Sequence, residues 1–133
     1  MYDSIEKSHP FLLIGSGTIL GSWLRMYITN YFRYHHSSSY FGTVLVNISS
    51  AFLLGFFFAV HSQLVDNSLN VKSPLFLFAC VGFLGSLSTF STFIIDLIKT
   101  FLDKKLKLCF GLAFFSVFAG LLLALLGLAF GDV

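Results

Sequence analysis

Four stretches of this chain run for about 20 residues or more almost without charge. Between Phe11 and Tyr31 the one charged residue is Arg25, and between Phe41 and Val60 there is none. Between Pro74 and Leu97 there is only Asp96, and between Leu108 and Gly131 there is none. A helix rises about 1.5 Å per residue and a bilayer's hydrocarbon core is about 30 Å thick, so each stretch is long enough to cross it. The chain therefore reads as an all-α membrane protein of four transmembrane helices, at about 10–32, 41–61, 74–99 and 108–130, in one domain over 1–133. With 56% hydrophobic and 11% charged residues, a soluble domain of this size could not cover its own core.

What lies between the spans is short. Residues 1–9 form a polar tail, 33–40 a loop with the His35-His36 pair, 63–73 a polar loop and 100–107 a basic turn. No room is left for a soluble domain, so function resides in the bilayer. The first span lacks the basic n-region and cleavage site of a signal peptide. A net charge of +2, with no basic segment interleaved with aromatics, argues against a nucleic-acid partner. Cys80 and Cys109 lie in apolar segments without metal-ligand spacing and read as small hydrophobes. The run Gly15 to Gly21 imitates a dinucleotide fingerprint, but Leu20 takes the third glycine position within an apolar span. His35 and His36 lack a third ligand nearby, and no nucleophile–base set falls at one membrane depth. Small-residue pairs at Gly17 and Gly21, Ser116 and Gly120, and Gly127 and Gly131 mark helix contacts within the chain or with a partner subunit.

Polar groups at membrane depth are costly and mark function. Arg25 lies about 10 Å into the first span, and Asn47 about 9 Å into the second, from the same membrane face. Arg25 either snorkels outward along its stem or serves the interior. Asn47 either ties two helices together or serves a pathway. Thr43, Asn47 and Ser50 follow i, i+4, i+7 and line one helix face with hydrogen-bond donors. That face suits an anion, unless the hydroxyls bond back to their own helix. In the third span, Gly82 to Phe93 packs two glycines, three serines and two threonines into twelve residues. Such a composition weakens the helix, and unwound backbone at this depth must be buried or line a cavity. The third helix is therefore predicted to be broken, with freed carbonyls suited to a hard cation. Phe90 and Phe93 are predicted to share a face and to offer partly positive ring edges to a small anion.

These blocks resemble the Fluc-type (CrcB-type) fluoride channels. Gly21-Ser22-Trp23-Leu24-Arg25 is similar to the glycine-rich start that closes on an arginine. Gly42-Thr43-Val44-Leu45-Val46-Asn47 is similar to Gly-Thr-x-x-Val-Asn. Gly82-Phe83-Leu84-Gly85 and Ser88-Thr89-Phe90-Ser91-Thr92-Phe93 are similar to Gly-Phe-x-Gly and Thr-Thr-Phe-Ser-Thr-Phe. The resemblance implies an antiparallel dimer in the cell membrane, with two pathways for passive fluoride efflux. It implies ring edges from Phe90 and Phe93 on the ion, a donor from Asn47, Arg25 toward a vestibule, and Thr43 and Ser116 along a polar track. A structural sodium ion, not transported, would sit at the dimer centre on the backbone carbonyls of Gly85 and Ser88. Ser88 stands where the family has threonine, Ser22 where alanine is usual, and Leu112 where a tyrosine often precedes the serine of the fourth helix.

Loop charge bears on the partner. Lys7 and Lys72 fall on one membrane side, and Arg33, Lys99, Lys104, Lys105 and Lys107 on the other. This bias favours one orientation, so the partner is either a second copy or an oppositely oriented homologue. Two further readings are a proton-coupled multidrug exporter, which wants a carboxylate deeper in a span than Asp96, and a non-conducting assembly subunit. The assembly reading would explain the packing glycines but not the Gly82–Phe93 block. The resemblance also implies the lipid of a bacterial plasma membrane as the chain's surroundings.

Overall fold

The computed structural model describes residues 2–35, 40–64 and 74–133, with side chains from 10–35, 40–63 and 74–133. The His36 side of the histidine pair, Lys72 and the Lys7 side chain lie outside the described residues. Helix α1 is Tyr2–His35 and α2 is Tyr40–Leu64. The third span is two helices: α3 over 74–87, and α4 at Phe90–Leu102. Helix α5 is Leu106–Gly131. Four segments are long and apolar enough to cross a membrane: Pro10–His35, Tyr40–Gln63, Pro74–Leu102 and Leu106–Gly131. The chain is a multi-pass membrane protein, and its described residues contain no strand.

The apolar part of α1 begins at Pro10, as the sequence predicts, but the helix itself extends outward to Tyr2. Pro10 thus lies inside α1, not in its first turn, where it removes one backbone donor. At the other end the helix continues through His35. That ring stacks on Tyr31 with centroids 4.3 Å apart, and its Nδ1 lies 3.1 Å from the Tyr31 carbonyl.

Hydrocarbon gives helices little hydrophobic reason to associate, so close packing must hold them. Two helix pairs here bring backbone against backbone through glycine. Between α1 and α3, a Cβ at Gly17 would stand 2.5 Å from the Phe78 carbonyl oxygen, and one at Gly82 would stand 2.6 Å from that of Ile14. A Cβ at Gly21 would collide with the Phe83 carbonyl and Ser86 Oγ. Between α2 and α5, Gly55 lies on the Ala124 carbonyl and Gly127 on that of Phe52, while a Cβ at Gly131 would be 2.7 Å from the Phe56 oxygen. Gly17, Gly21, Gly127 and Gly131 therefore join helices within the chain. Gly120 does not: nothing lies within 4 Å of where its Cβ would be.

Where α3 meets α1, residues Leu77–Leu84 form a π-helix, and the Gly85 N–H reaches back to the Cys80 carbonyl. The wider turn lies along the stretch where α1 packs closest. Val46, Leu84 and Leu87 form the buried centre, with Leu24, Ile28, Leu53, Phe57 and Phe83 packed around them. This small core sits just before the break. Cys80 is buried, and the Cys109 thiol lies 3.5 Å from the Leu97 carbonyl; both are free thiols in apolar packing.

Candidate ion pathway at the break in the third span

The break occupies two residues. Ser88 (φ −66°, ψ 143°) and Thr89 (φ −144°, ψ 122°) are extended, as the Gly/Ser/Thr composition predicts. The sequence does not reveal what holds them. The Asn47 side-chain amide pairs with the Thr89 backbone as a neighbouring strand would. Its Nδ2 donates to the Thr89 carbonyl at 3.0 Å, and its Oδ1 accepts from the Thr89 N–H at 2.8 Å. Ser88 Oγ also donates to Oδ1, at 3.3 Å. The clasp satisfies backbone groups that hydrocarbon would not. Nδ2 keeps a second hydrogen for another acceptor.

Diverting the Thr89 N–H has a consequence for Gly85. In an unbroken helix that N–H would bond the Gly85 carbonyl, four residues back. Likewise the Thr92 N–H, which would bond the Ser88 carbonyl, turns to Thr89 Oγ1 at 3.4 Å, capping α4. No other backbone N–H among the described residues replaces them. The two carbonyls that the resemblance offers to a cation are thus among those that the break frees, and both residues are exposed on the single chain. Such a donor set fits a hard cation, which takes neutral carbonyl oxygens. On the other side of the break, α4 begins with the N–H groups of Phe90 and Ser91, which have no partner among the described residues. A helix N-terminus favours negative charge.

Phe90 and Phe93 do not share one environment. Phe93 is 8% exposed and Phe90 76%. The reason is a buried stripe at i, i+4, i+7 and i+11: Thr89, Phe93, Asp96 and Thr100 are each buried. That stripe turns Phe93 into the chain and leaves Phe90 on its surface, directly after the break.

The donor stripe of α2 lies on one face, but its donors are engaged within the chain. Thr43 Oγ1 donates to Asp96 Oδ2 at 2.8 Å, with both residues buried. Ser50 bonds back to the Val46 carbonyl at 2.7 Å. Asp96 is the residue that sequence reasoning set aside as near a span's end. It is near that end, yet it belongs to the wall between α2 and α4. Its place in the buried stripe was readable; its bond to Thr43 was not. Arg25 is half-buried, pairs with no side chain among the described residues, and makes no hydrogen bond to Asn47. Ser116 is half-buried on α5 without a hydrogen-bond partner among the described residues. The structure thus brings Asn47, Gly85, Ser88 and Phe90 together at the break and leaves Arg25 and Ser116 apart from it.

These features define a class: small multi-pass membrane proteins with one span interrupted and clasped at membrane depth. The profile of the CrcB-like protein, Camphor Resistance (CrcB) family matches residues 12–128. The chain belongs to that family. It is 38% identical over 120 residues to fluoride-specific ion channel FluC 1 of Parasynechococcus marenigrum, covering 90% of this chain and 91% of that one. It is also 38% identical over 128 residues to a FluC 2 of Prochlorococcus marinus, covering 96% and 95%. To the FluC of Acinetobacter baylyi it is 32% identical over 128 residues, covering 96% and 93%.

Proposed function

We propose that this chain is a fluoride-specific ion channel, not an enzyme, and that it gives passive efflux of fluoride across a bacterial plasma membrane. The observation that carries the reading is the clasped break, with a bare phenylalanine beside it. The relatives' names give the ion. In acidic surroundings hydrogen fluoride enters a cell and ionises inside. The negative membrane potential then drives the anion out, with no need of ATP or a proton relay.

The conducting unit is an antiparallel dimer, because one chain supplies too little wall. Its partner surface includes Gly85, Ser88 and Phe90, which are bare on the single chain, and the half-buried Ser116 and Gly120. Phe90 offers its ring edge to fluoride, and Phe93 does so from within the wall. An uncharged edge holds a small anion loosely enough for it to leave. Asn47 presents its second amide hydrogen, Thr43 braces the wall through Asp96, Ser116 extends the polar track, and Arg25 raises anion concentration at the mouth. The carbonyls of Gly85 and Ser88, one pair from each copy, would hold a structural sodium ion. When bound, that ion would supply a fixed positive charge there.

Fluoride efflux from proteoliposomes tests the proposal. Purified protein, alone or with an oppositely oriented homologue, is expected to pass fluoride. A folded dimer that passed none would end the channel reading. Phe90→Ile should lower flux at least tenfold without changing helix content, since the ring packs on little of its own chain. Unchanged flux would remove the ring-edge role.

A further inference from the structure

Four helix ends meet at one membrane face: the C-terminal ends of α1 and α4 and the N-terminal ends of α2 and α5. The Thr43–Asp96 bond ties α2 to α4 there, and the Cys109–Leu97 contact ties α5 to α4. The turn between α4 and α5 is closed by three backbone bonds: Asp103 N–H to the Lys99 carbonyl at 2.9 Å, Lys104 to Phe101 at 2.9 Å and Lys105 to Thr100 at 3.1 Å. Lys104 takes a left-handed conformation, φ 59°, where glycine would be usual. The turn is thus defined by its own hydrogen bonds, and it carries cations.

Lys99, Lys104, Lys105 and Lys107 are all exposed, and none has an ion-pair partner among the described residues. Exposed Arg33 lies at the same face, in the last turn of α1. Against these five cations stands one exposed carboxylate, Asp103; Asp96 is buried on Thr43. Directly beside the lysines lie bare apolar side chains: Phe101 at 55% exposure, Leu102 at 72% and Leu106 at 47%. On α1, exposed Tyr27, Tyr31 and Tyr34 approach the same end, where amphipathic rings mark the headgroup level.

We propose that this face is a binding surface for anionic phospholipids. The lysines meet the phosphate and headgroup charge, and the apolar rim of the turn meets the upper acyl chains. Clusters of four or more basic residues next to a span attract anionic leaflets, by about fivefold for each cation near the surface. The surface holds this face in the anionic leaflet. In an antiparallel pair of identical chains, one copy's basic face would lie in the opposite leaflet. The lipid preference therefore favours an oppositely oriented homologue as partner. The lipid surface does not depend on the fluoride reading.

The test uses purified full-length protein in lipid nanodiscs or mixed micelles, with native mass spectrometry counting retained phosphatidylglycerol against phosphatidylcholine. The parent should retain phosphatidylglycerol preferentially, and less so in high salt. The triple variant Lys104→Asn, Lys105→Gln, Lys107→Gln should lose this preference by on the order of 100-fold, with helix content and fluoride efflux unchanged. Asparagine is chosen at 104 because it tolerates the left-handed backbone. Equal retention of both lipids by the parent would overturn the proposal, as would a variant that kept the preference. Displacement of bound phosphatidylglycerol by millimolar inorganic phosphate would also overturn it, since the face would then read a free anion and not a lipid.

Discussion

The two halves of the third span are held in opposite ways. Helix α3 lies backbone to backbone on α1, joined by Gly17, Gly21 and Gly82, and it widens into a π-helix along that contact. Helix α4 has no such seam. It is joined to the rest by a polar stripe and, at its start, by one amide: Asn47 on both backbone groups of Thr89. The first half depends on shape and the second on hydrogen bonds. Exposed polar backbone collects at the junction because hydrogen bonds can hold extended backbone at membrane depth, where packing alone would leave its polar groups unsatisfied.

The shape-dependent half should break hardest. Gly82→Leu places a side chain where Ile14 and Gly17 backbone atoms already lie, and backbone cannot rotate away as a side chain can. The expected cost is about 4 kcal/mol or more, seen as aggregation on size-exclusion chromatography and loss of folded protein in detergent. A folded, monodisperse Gly82→Leu protein would mean that the seam is not what holds α3.

The hydrogen-bonded half should fail by a different route. Asn47→Ala strips both Thr89 backbone groups of their partner, at about 1–3 kcal/mol for each left unsatisfied. The strand-like break can escape that penalty by rewinding, with the Thr89 N–H returning to the Gly85 carbonyl. The protein should therefore still fold, at reduced thermal stability, while fluoride efflux falls to background. Wild-type flux from Asn47→Ala would show that the break holds without its clasp.

How much of this was legible follows the same division. The four spans could be read from absent charge, because hydrocarbon excludes charge whatever the tertiary context. The break could be read from Gly85, Ser86, Ser88 and Thr89, because it is a local weakness of the helix. The π-turn of Leu77–Leu84 could not, since apart from Gly82 its residues are ordinary apolar ones and the contact with α1 accompanies the distortion. The Asn47–Thr89 and Thr43–Asp96 bonds join residues 42 and 53 positions apart, and one sequence carries no record of such pairs. The separation of Phe90 from Phe93 lies in between. Spacing of three places them near each other, but Thr89, Asp96 and Thr100 decide which one turns inward.

The smallest effect on the single chain is expected at the junction itself. A Cβ at Gly85 would meet nothing closer than the Cys80 carbonyl at 3.6 Å, an ordinary contact. Within one chain Gly85→Ala is therefore tolerated, and alanine's better helix propensity offsets any loss, leaving the fold within about 1 kcal/mol of the parent. The glycine has no role inside the chain comparable to that of Gly82. If a partner's backbone approaches there, the added methyl falls between two copies and beside the freed carbonyl. Gly85→Ala should then keep its helix content and monomer stability while its dimer fraction in detergent and its fluoride flux both drop. Sodium should also stabilise the parent against thermal dissociation more than it stabilises the variant. If dimer fraction, flux and sodium response all matched the parent, the exposed glycine would be incidental. The difference between the two halves of the span would then end at the surface of one chain.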